Sequence, residues 1–204
     1  MSGVSNPSDG VLALFEETGA YLRGHFRLTS GLHSGEYLQC AKVLRFPQYA
    51  ERFGRALADT LRELAGGPID LVVSPAMGGL IIGHEVARAL GVPFLFSERD
   101  SASGRMTLRR GFVIEPGQSA VIIEDVITTG GSTREVLELL AEAGGKVLAA
   151  GSIIDRSGGE ADVGVRHAAL ATLHPITWKP EGCPLCAQGV PVQKPGSRNV
   201  PAAG

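Results

Sequence analysis

Short apolar runs alternate with stretches of helical periodicity through the middle of the chain. Four of these runs predict buried strands, at residues 69–74, 91–96, 119–124 and 147–154. Three other segments repeat apolar residues at helical spacing and predict helices, at residues 49–64, 80–90 and 133–143. Because continuous apolar strands alternate with helices, the pattern predicts an α/β fold with a mostly parallel central sheet flanked by helices.

Two stretches show neither the apolar runs of buried strands nor the apolar spacing of helices. Residues 99–110 are polar and rich in Ser, Gly and Arg, and they lie between predicted strands, where functional loops and lids are common. The tail from Lys179 onward also lacks a regular pattern. We expect residues 1–204 to form a single domain whose ends, 1–10 and 199–204, are flexible.

Composition narrows the classes of partner. The chain has 204 residues, of which 44% are apolar, and its 19 basic and 21 acidic residues give a formal net charge of -2. Such a balance offers no basic surface for a nucleic acid and favours a small-molecule substrate. The sequence predicts neither a signal peptide nor a membrane span, and its three cysteines fit a reducing cytoplasm.

The residues best suited to bind a ligand lie where the strand predicted at 119–124 ends. Glu124 and Asp125 should point to opposite sides of the strand end, and no basic neighbour in sequence neutralises them. The turn that follows supplies hydroxyl groups and flexible backbone at the start of a helix, through Thr128, Thr129, Gly130, Gly131, Ser132 and Thr133. A helix N-terminus with these donors favours a phosphate, and the two acids suit ribose hydroxyls or a neighbouring magnesium ion. The alternative is a helix cap beside a solvated acidic strand end.

Residues 124–132 resemble the ribose-5-phosphate signature of the type I phosphoribosyltransferases. Within that family the longer pattern resembles the orotate phosphoribosyltransferases. The matching segments are residues 26–34, 74–79 and 105–111, Asp155 with Arg156, Cys183 to Cys186, and residues 194–198.

The resemblance implies a type I phosphoribosyltransferase fold with a small hood formed by the terminal segments. It also implies transfer of ribose 5-phosphate from 5-phosphoribosyl 1-diphosphate to orotate in pyrimidine (UMP) synthesis, by a homodimer. Mg²⁺ would be carried mainly by the sugar diphosphate, so no metal ligand is assigned to the chain. The implied sugar-phosphate contacts are Glu124, Asp125, Val126, Ile127, Thr128, Thr129, Gly130, Gly131 and Ser132.

The resemblance also implies which residues contact the base and which contact the diphosphate. Thr128 and Arg156 would contact orotate, and the planar guanidinium of Arg156 suits a carboxylated pyrimidine. A surface pairing of Arg156 with Asp155 or Glu160 is the alternative. In the loop at 99–110, the resemblance implies that Arg99 binds the diphosphate and is catalytic together with Glu124 and Asp125. Arg105 is the second candidate for a contact with the diphosphate.

This chain departs from the family pattern in three places. The basic loop has fewer closely spaced cations than usual, so Arg105, Arg109 and Arg110 are further sources of charge, and a solvated loop is the alternative. Many relatives have lysine in place of Gly79 and of Thr29, so two expected cationic contacts are absent.

The cysteines leave several interpretations open. Cys183 and Cys186 have the spacing of half a zinc site, but the sequence shows no second pair at a convincing distance. Structural thiols are favoured over a metal site shared with His174 or a partner chain, and over redox pairing. The other histidines are expected to be structural, namely His25, His33, His84 and His167.

Two other functions compete with orotate transfer. A phosphoribosyltransferase for a purine or uracil would share the phosphate turn, and Arg156 with the carboxyl-terminal pattern argues against it. A non-catalytic regulator that senses the sugar diphosphate would be expected to carry a basic nucleic-acid-binding face, which the sequence lacks.

Overall fold

The chain folds into a central sheet with helices on both faces and a smaller sheet above one edge. This computed structural model describes residues 7–28 and 30–195. In chain order the elements are α1 (Pro7–Glu17), β1 (Tyr21–Arg27), β2 (His33–Leu38), α2 (Cys40–Leu44), α3 (Pro47–Ala65), β3 (Leu71–Pro75), α4 (Gly79–Leu90), β4 (Phe94–Arg99), β5 (Met106–Leu108), β6 (Ser119–Ile127), α5 (Gly131–Glu142), β7 (Lys146–Asp155), β8 (His167–Thr172), β9 (Thr177–Trp178) and α6 (Pro184–Ala187).

The central sheet has six strands in the order β5-β4-β3-β6-β7-β8. All neighbours are parallel except β5, which runs antiparallel to β4. The predicted mostly parallel α/β sheet is therefore confirmed. Side chains of β6 alternate between two cores: Val121 and Ile123 pack with α3 and α4, whereas Ala120 and Ile122 pack with α5.

The strand order brings two turns to one edge of the sheet. β3 and β6 are parallel neighbours, with Val72 opposite Val121 and Val73 opposite Ile122. Their carboxyl ends therefore lie side by side, so the turns that lead into α4 and α5 meet there. Ligands of open α/β sheets collect at this kind of edge.

A hood of three antiparallel strands completes the fold. β2 lies between β1 and β9, and His33 and Ser34 pair with Trp178 and Thr177. The carboxyl-terminal segment also runs along β1, where the Gln193 carbonyl accepts a hydrogen bond from the Arg27 N–H at 2.8 Å. The predicted hood of terminal segments is confirmed.

Two segments are more regular than the sequence indicated. The loop at 99–110 contains β5, in which Met106 pairs with Arg99 and packs into the core while its polar neighbours face outward. The stretch 1–10 was expected to be flexible, but α1 begins at Pro7. Residues 1–6 and 199–204 lie outside the described part of the chain.

Membrane insertion of a helix finds no support in the structure. Over residues 7–28 and 30–195, no helix combines the length and the apolar character that crossing a bilayer requires.

Close packing of α3 on α4 predicts a large effect of Gly54→Ala. A Cβ at Gly54 would lie 2.6 Å from the Cβ of Glu85 and 2.9 Å from its carbonyl oxygen. Alanine favours helix by up to about 1 kcal/mol over glycine, but the clash should cost about 1–3 kcal/mol. We expect a lower Tm and a net loss of unfolding free energy in urea titrations. Gly67→Ala is the control, because a Cβ there has no atom within 4 Å. Equal stability of the two variants would contradict the packing argument.

Candidate active site

A cavity of about 500 Å³ lies between the hood and the carboxyl edge of the central sheet. Leu28 and Tyr37 line it from the hood, and Asp125, Thr128 and Arg156 line it from the sheet. Its size suits a small ligand. The cavity therefore brings together some of the residues predicted to contact the sugar, the phosphate and the base, whereas other predicted contacts, such as Glu124, Gly130, Gly131 and Ser132, are not among its lining residues.

Two neighbouring acids stand at the end of β6. They point to opposite sides, as successive strand residues do: the Glu124 carboxylate accepts a hydrogen bond from Thr133 Oγ1 at 3.0 Å, whereas Asp125 faces the cavity. The Val126 N–H donates to Asp125 Oδ1 at 2.9 Å. Neither acid forms an ion pair within residues 7–28 and 30–195.

Both acids have raised pKa values. Burial, with the charge of Asp125, raises the pKa of Glu124 to about 8. Burial also raises the pKa of Asp125 above its usual value. A ligand that brings hydroxyl donors or a cation would therefore stabilise the ionised pair.

The turn after these acids is built to approach an anion. Thr128 and Thr129 are exposed on the cavity wall. Gly130 has φ 76°, and a Cβ there would lie 2.7 Å from Val163 Cγ1, so the position requires glycine. No side chain caps α5, so the N–H groups of Gly131 and Ser132 at its start are available to a phosphate.

Val126 and Ile127, two of the predicted sugar-phosphate contacts, differ in whether their side chains face the cavity. Val126 lines the cavity. The Ile127 side chain is buried in the core, and its carbonyl accepts a hydrogen bond from the Arg156 N–H at 2.8 Å. Ile127 therefore holds the two strand ends together, and its side chain lies away from any ligand.

The turn between β3 and α4 approaches Asp125 closely. A Cβ at Gly78 would lie 2.5 Å from Asp125 Oδ1, and one at Gly79 would lie 2.8 Å from the Ile123 carbonyl oxygen. This turn therefore has no room for a lysine side chain at Gly79, the residue that the family resemblance led us to expect there. Its Ala76–Met77 peptide bond is cis. Thr29, the other position where many relatives have lysine, lies outside the described residues.

Arg156 follows β7 and lines the cavity. Burial lowers the pKa of its guanidinium, yet among the described residues no carboxylate pairs with it. Asp155 instead accepts hydrogen bonds from the Ser157 N–H at 2.7 Å and Ser157 Oγ at 2.6 Å. The alternative in which Arg156 pairs with Asp155 or Glu160 is therefore not observed, and its donors remain available to a ligand.

The predicted basic residues lie elsewhere. Arg99 forms a two-pronged ion pair with Glu135 at 2.8 and 3.0 Å, and Arg105 pairs with Glu142 at 3.2 Å. Both acids belong to α5 of the same chain, and neither arginine lines the cavity. Arg109 is exposed and has no ion pair in the described part of the chain. In this conformation, therefore, neither the hairpin of β4 and β5 (residues 94–108) nor residues 109 and 110 supply a cation to the acid pair of the same chain.

Sequence reasoning missed the hood side of the cavity. The wall includes Ser30, Tyr37 and Thr177, which come from both ends of the chain. Ser30 lies in the matching segment 26–34 but was given no role, and no local motif marks Tyr37 or Thr177, which come together with it only when β9 pairs with β2. His174 also lines the cavity, so the alternative in which it shares a metal with Cys183 and Cys186 is not observed. Those two thiols lie beside His25 and His33 instead.

Comparison with known proteins identifies relatives over nearly the whole chain. The phosphoribosyl transferase domain family matches residues 41–179. Orotate phosphoribosyltransferase from Pelotomaculum thermopropionicum is 55% identical over 192 residues, covering 94% of this chain and 98% of the relative. The enzyme of that name from Heliobacterium modesticaldum is 52% identical over 190 residues, covering 93% and 98%.

Solved structures share the fold. Orotate phosphoribosyltransferase from Aeropyrum pernix superposes with a TM-score of 0.66 at 27% identity, covering 80% of this chain and 93% of that one. Adenine phosphoribosyltransferase from Thermoanaerobacter pseudethanolicus has a TM-score of 0.58 at 20% identity, covering 68% and 88%. The second likeness shows that the same fold also occurs in a protein named for a purine.

The raised pKa of Glu124 predicts a change in pH dependence for Glu124→Gln. Between pH 4.5 and about 8, the folded chain holds a proton on Glu124 that the unfolded chain has lost. The free energy of unfolding of the wild type should therefore fall as pH rises through this window, and the variant should lack that contribution. One pKa unit corresponds to about 1.4 kcal/mol, so we expect the variant to gain at least that much relative to wild type from about pH 5 to about pH 8.

Urea denaturation at a series of pH values measures this difference. Glu138→Gln is the control, because Glu138 is an exposed acid on α5. Parallel stability curves for wild type and Glu124→Gln would show that Glu124 titrates normally.

Proposed function

Since the chain belongs to the phosphoribosyltransferase family, we propose that it is an orotate phosphoribosyltransferase. It transfers ribose 5-phosphate from 5-phosphoribosyl 1-diphosphate to orotate, giving orotidine 5′-monophosphate and diphosphate for pyrimidine synthesis. Relatives that carry this name are 47 to 55% identical over nearly their full length. The enzyme is proposed to act in the cytoplasm, where its three free cysteines would stay reduced.

One observation carries the choice of base: Arg156 brings an unpartnered guanidinium into the same cavity as Asp125 and Thr128. A guanidinium is a rigid fork of donors that matches a carboxylate. Orotate carries a carboxylate on its ring, whereas adenine and uracil do not. The cavity therefore offers a reason to prefer orotate that the shared phosphate turn cannot give.

The phosphate turn and the acids divide the sugar between them. The 5-phosphate would bind the N–H groups at the start of α5 and the hydroxyls of Thr128 and Thr129. The ribose hydroxyls would donate to Glu124 and Asp125, which ionise more readily once hydroxyl donors are present. Holding both ends of the sugar fixes its reactive carbon opposite the base.

The transfer reaction depends on stabilising the positive charge of the ribose ring, and it needs no nucleophilic side chain. As the bond to diphosphate breaks, positive charge develops on the ribose ring, and the nearby carboxylates favour it while the cavity walls exclude water. Arg156 orients orotate so that its ring nitrogen attacks the same carbon. No covalent intermediate with the protein is needed.

Mg²⁺ is proposed to enter with the sugar diphosphate. Among the residues facing the cavity, Asp125 offers the oxygen ligand that Mg²⁺ prefers. The ion would neutralise the leaving diphosphate and also offset the charge of the acid pair. Magnesium therefore suits a site whose own residues bring negative charge.

The working unit is proposed to be a homodimer in which the arginine-bearing hairpin of one subunit covers the cavity of the other. This is supported by the position of Arg99, which is the last residue of β4 but does not line the cavity of its own chain. Its two hydrogen bonds to Glu135 are exposed ones, which contribute little stability and exchange readily for a diphosphate. The exposed Arg109 is the second cation placed to act in this way.

Replacing Arg156 by lysine tests the base assignment. Lysine keeps the charge but loses the planar fork, so Arg156→Lys should raise the KM for orotate at least tenfold, about 1.4 kcal/mol, while the Kd for the sugar diphosphate stays nearly unchanged. Steady-state kinetics and separate calorimetric titrations measure the two. Arg62→Lys on the exposed face of α3 is the control. A parallel loss of both affinities would assign Arg156 a structural role.

Mixing two inactive variants tests the shared site. Asp125→Asn removes one acid, and Arg99→Ala removes the cation proposed to come from the partner. If subunits exchange freely, half of the dimers are mixed and each has one intact site, so activity should return to about one quarter of wild type. A parallel mixture with Arg109→Ala tests the second arginine. No recovery in either mixture, despite mixed dimers seen by mass spectrometry, would rule out a cation supplied across the interface.

A further inference from the structure

Four metal-binding side chains meet in the hood, away from the acid pair. His25 lies on β1, His33 on β2, and Cys183 and Cys186 flank the start of α6. One ligand atom from each lies within 4.8 Å of all the others. The hood therefore brings together residues that are more than 150 positions apart in sequence.

The distances match the edges of a tetrahedral site. Cys183 Sγ is 3.4 Å from His25 Nε2, and Cys186 Sγ is 3.3 Å from His33 Nδ1. With zinc bonds of about 2.0 Å to nitrogen and about 2.3 Å to sulfur, nitrogen and sulfur ligands stand about 3.6 Å apart. The two ring nitrogens are 2.8 Å apart, and separating them by about half an ångström would complete the geometry.

A backbone contact orients the first ligand. His25 Nδ1 lies 2.7 Å from the carbonyl oxygen of Val190, which has no hydrogen to give, so Nδ1 carries the proton and donates it. The lone pair of Nε2 is then directed at His33 and the two thiols. This arrangement, in which the second ring nitrogen of a histidine is fixed by an acceptor, is the usual support of a metal ligand.

Burial adds a second argument. His25, His33 and Cys183 are 2%, 5% and 3% exposed. Two buried imidazole nitrogens and a buried sulfur that face each other are poorly satisfied by one shared proton, whereas a cation satisfies all of them. Two sulfur and two nitrogen ligands favour zinc, and four protein ligands leave no open position for catalysis.

We propose that His25, His33, Cys183 and Cys186 bind a structural Zn²⁺ that fastens the carboxyl-terminal segment to the hood. The ion would join α6 to β1 and β2, which already pair with each other in the hood sheet. The turn between His25 and His33 carries Leu28, Ser30 and Leu32 onto the cavity wall. Zinc would thereby fix one wall of the cavity without touching the substrate.

Metal content is the direct test. Protein purified from zinc-containing medium without a histidine tag should hold about one zinc per chain by elemental analysis. Cys183→Ser and Cys186→Ser should each lower this at least about fivefold. Cys40→Ala and His84→Ala are matched controls, because Cys40 lies in the main core and His84 is exposed on α4. Both controls should keep their zinc.

Cobalt substitution of the wild type avoids any dependence on whether the variants fold. Replacing zinc by Co²⁺ should give the visible absorption of tetrahedral cobalt bound to thiolate. Chelation should lower the Tm, and zinc should restore it. A higher KM for orotate after zinc removal is a further consequence that rests on the proposed function, whereas metal content, spectrum and Tm do not.

Several results would overturn the proposal. These are protein without zinc that shows no cobalt–thiolate absorption, zinc retained in both cysteine variants, or a disulfide between Cys183 and Cys186 in protein prepared under reducing conditions. Normal zinc binding in a protein inactive with orotate would overturn the proposed function and leave the metal site standing.

Discussion

Two adjacent carboxyl groups that pair with no cation in the described part of the chain are the constraint on which the rest of the site depends. Glu124 and Asp125 stand at the end of a buried strand, and burial raises the pKa of both. Gly78 packs directly against Asp125, and farther along the chain Gly130 lets the turn after β6 pass close to Val163. Burying the pair without a counter-charge disfavours its ionised form, and a ligand that brought hydroxyl donors or a cation would offset that cost.

The remaining parts of the site are arranged around that pair. The sheet presents the acids near the carboxyl end of β6, the turn that follows β6, and Arg156 directly after β7, and these two strands are parallel neighbours. The hood supplies the opposite wall from chain segments that are distant in sequence. Such a wall needs a tie between its segments, and the cluster of His25, His33, Cys183 and Cys186 lies where that tie is required.

The sequence predicted the parts of the fold that repeat. Apolar strands and amphipathic helices follow one another at regular spacing, and the acid and glycine turn is contiguous, so both were recognisable. β5 was missed because three residues are too few to show alternation within a polar stretch. The ion pairs of Arg99 and Arg105 with α5 could not be seen, since partners 36 and 37 positions away carry no local signal. The histidines near Cys183 were missed for the same reason, because β1 and β2 deliver them from the other end of the chain.

The central claim is that this cavity joins ribose 5-phosphate to a carboxylated pyrimidine. The most direct measurement offers the purified protein 5-phosphoribosyl 1-diphosphate, Mg²⁺ and one base at a time, and follows absorbance and diphosphate release. The account predicts turnover with orotate, and turnover at least about a hundredfold slower with uracil, adenine and guanine, since losing an ion-paired contact to Arg156 should cost about 3 kcal/mol. Equal turnover with uracil, or turnover with a purine alone, would contradict it.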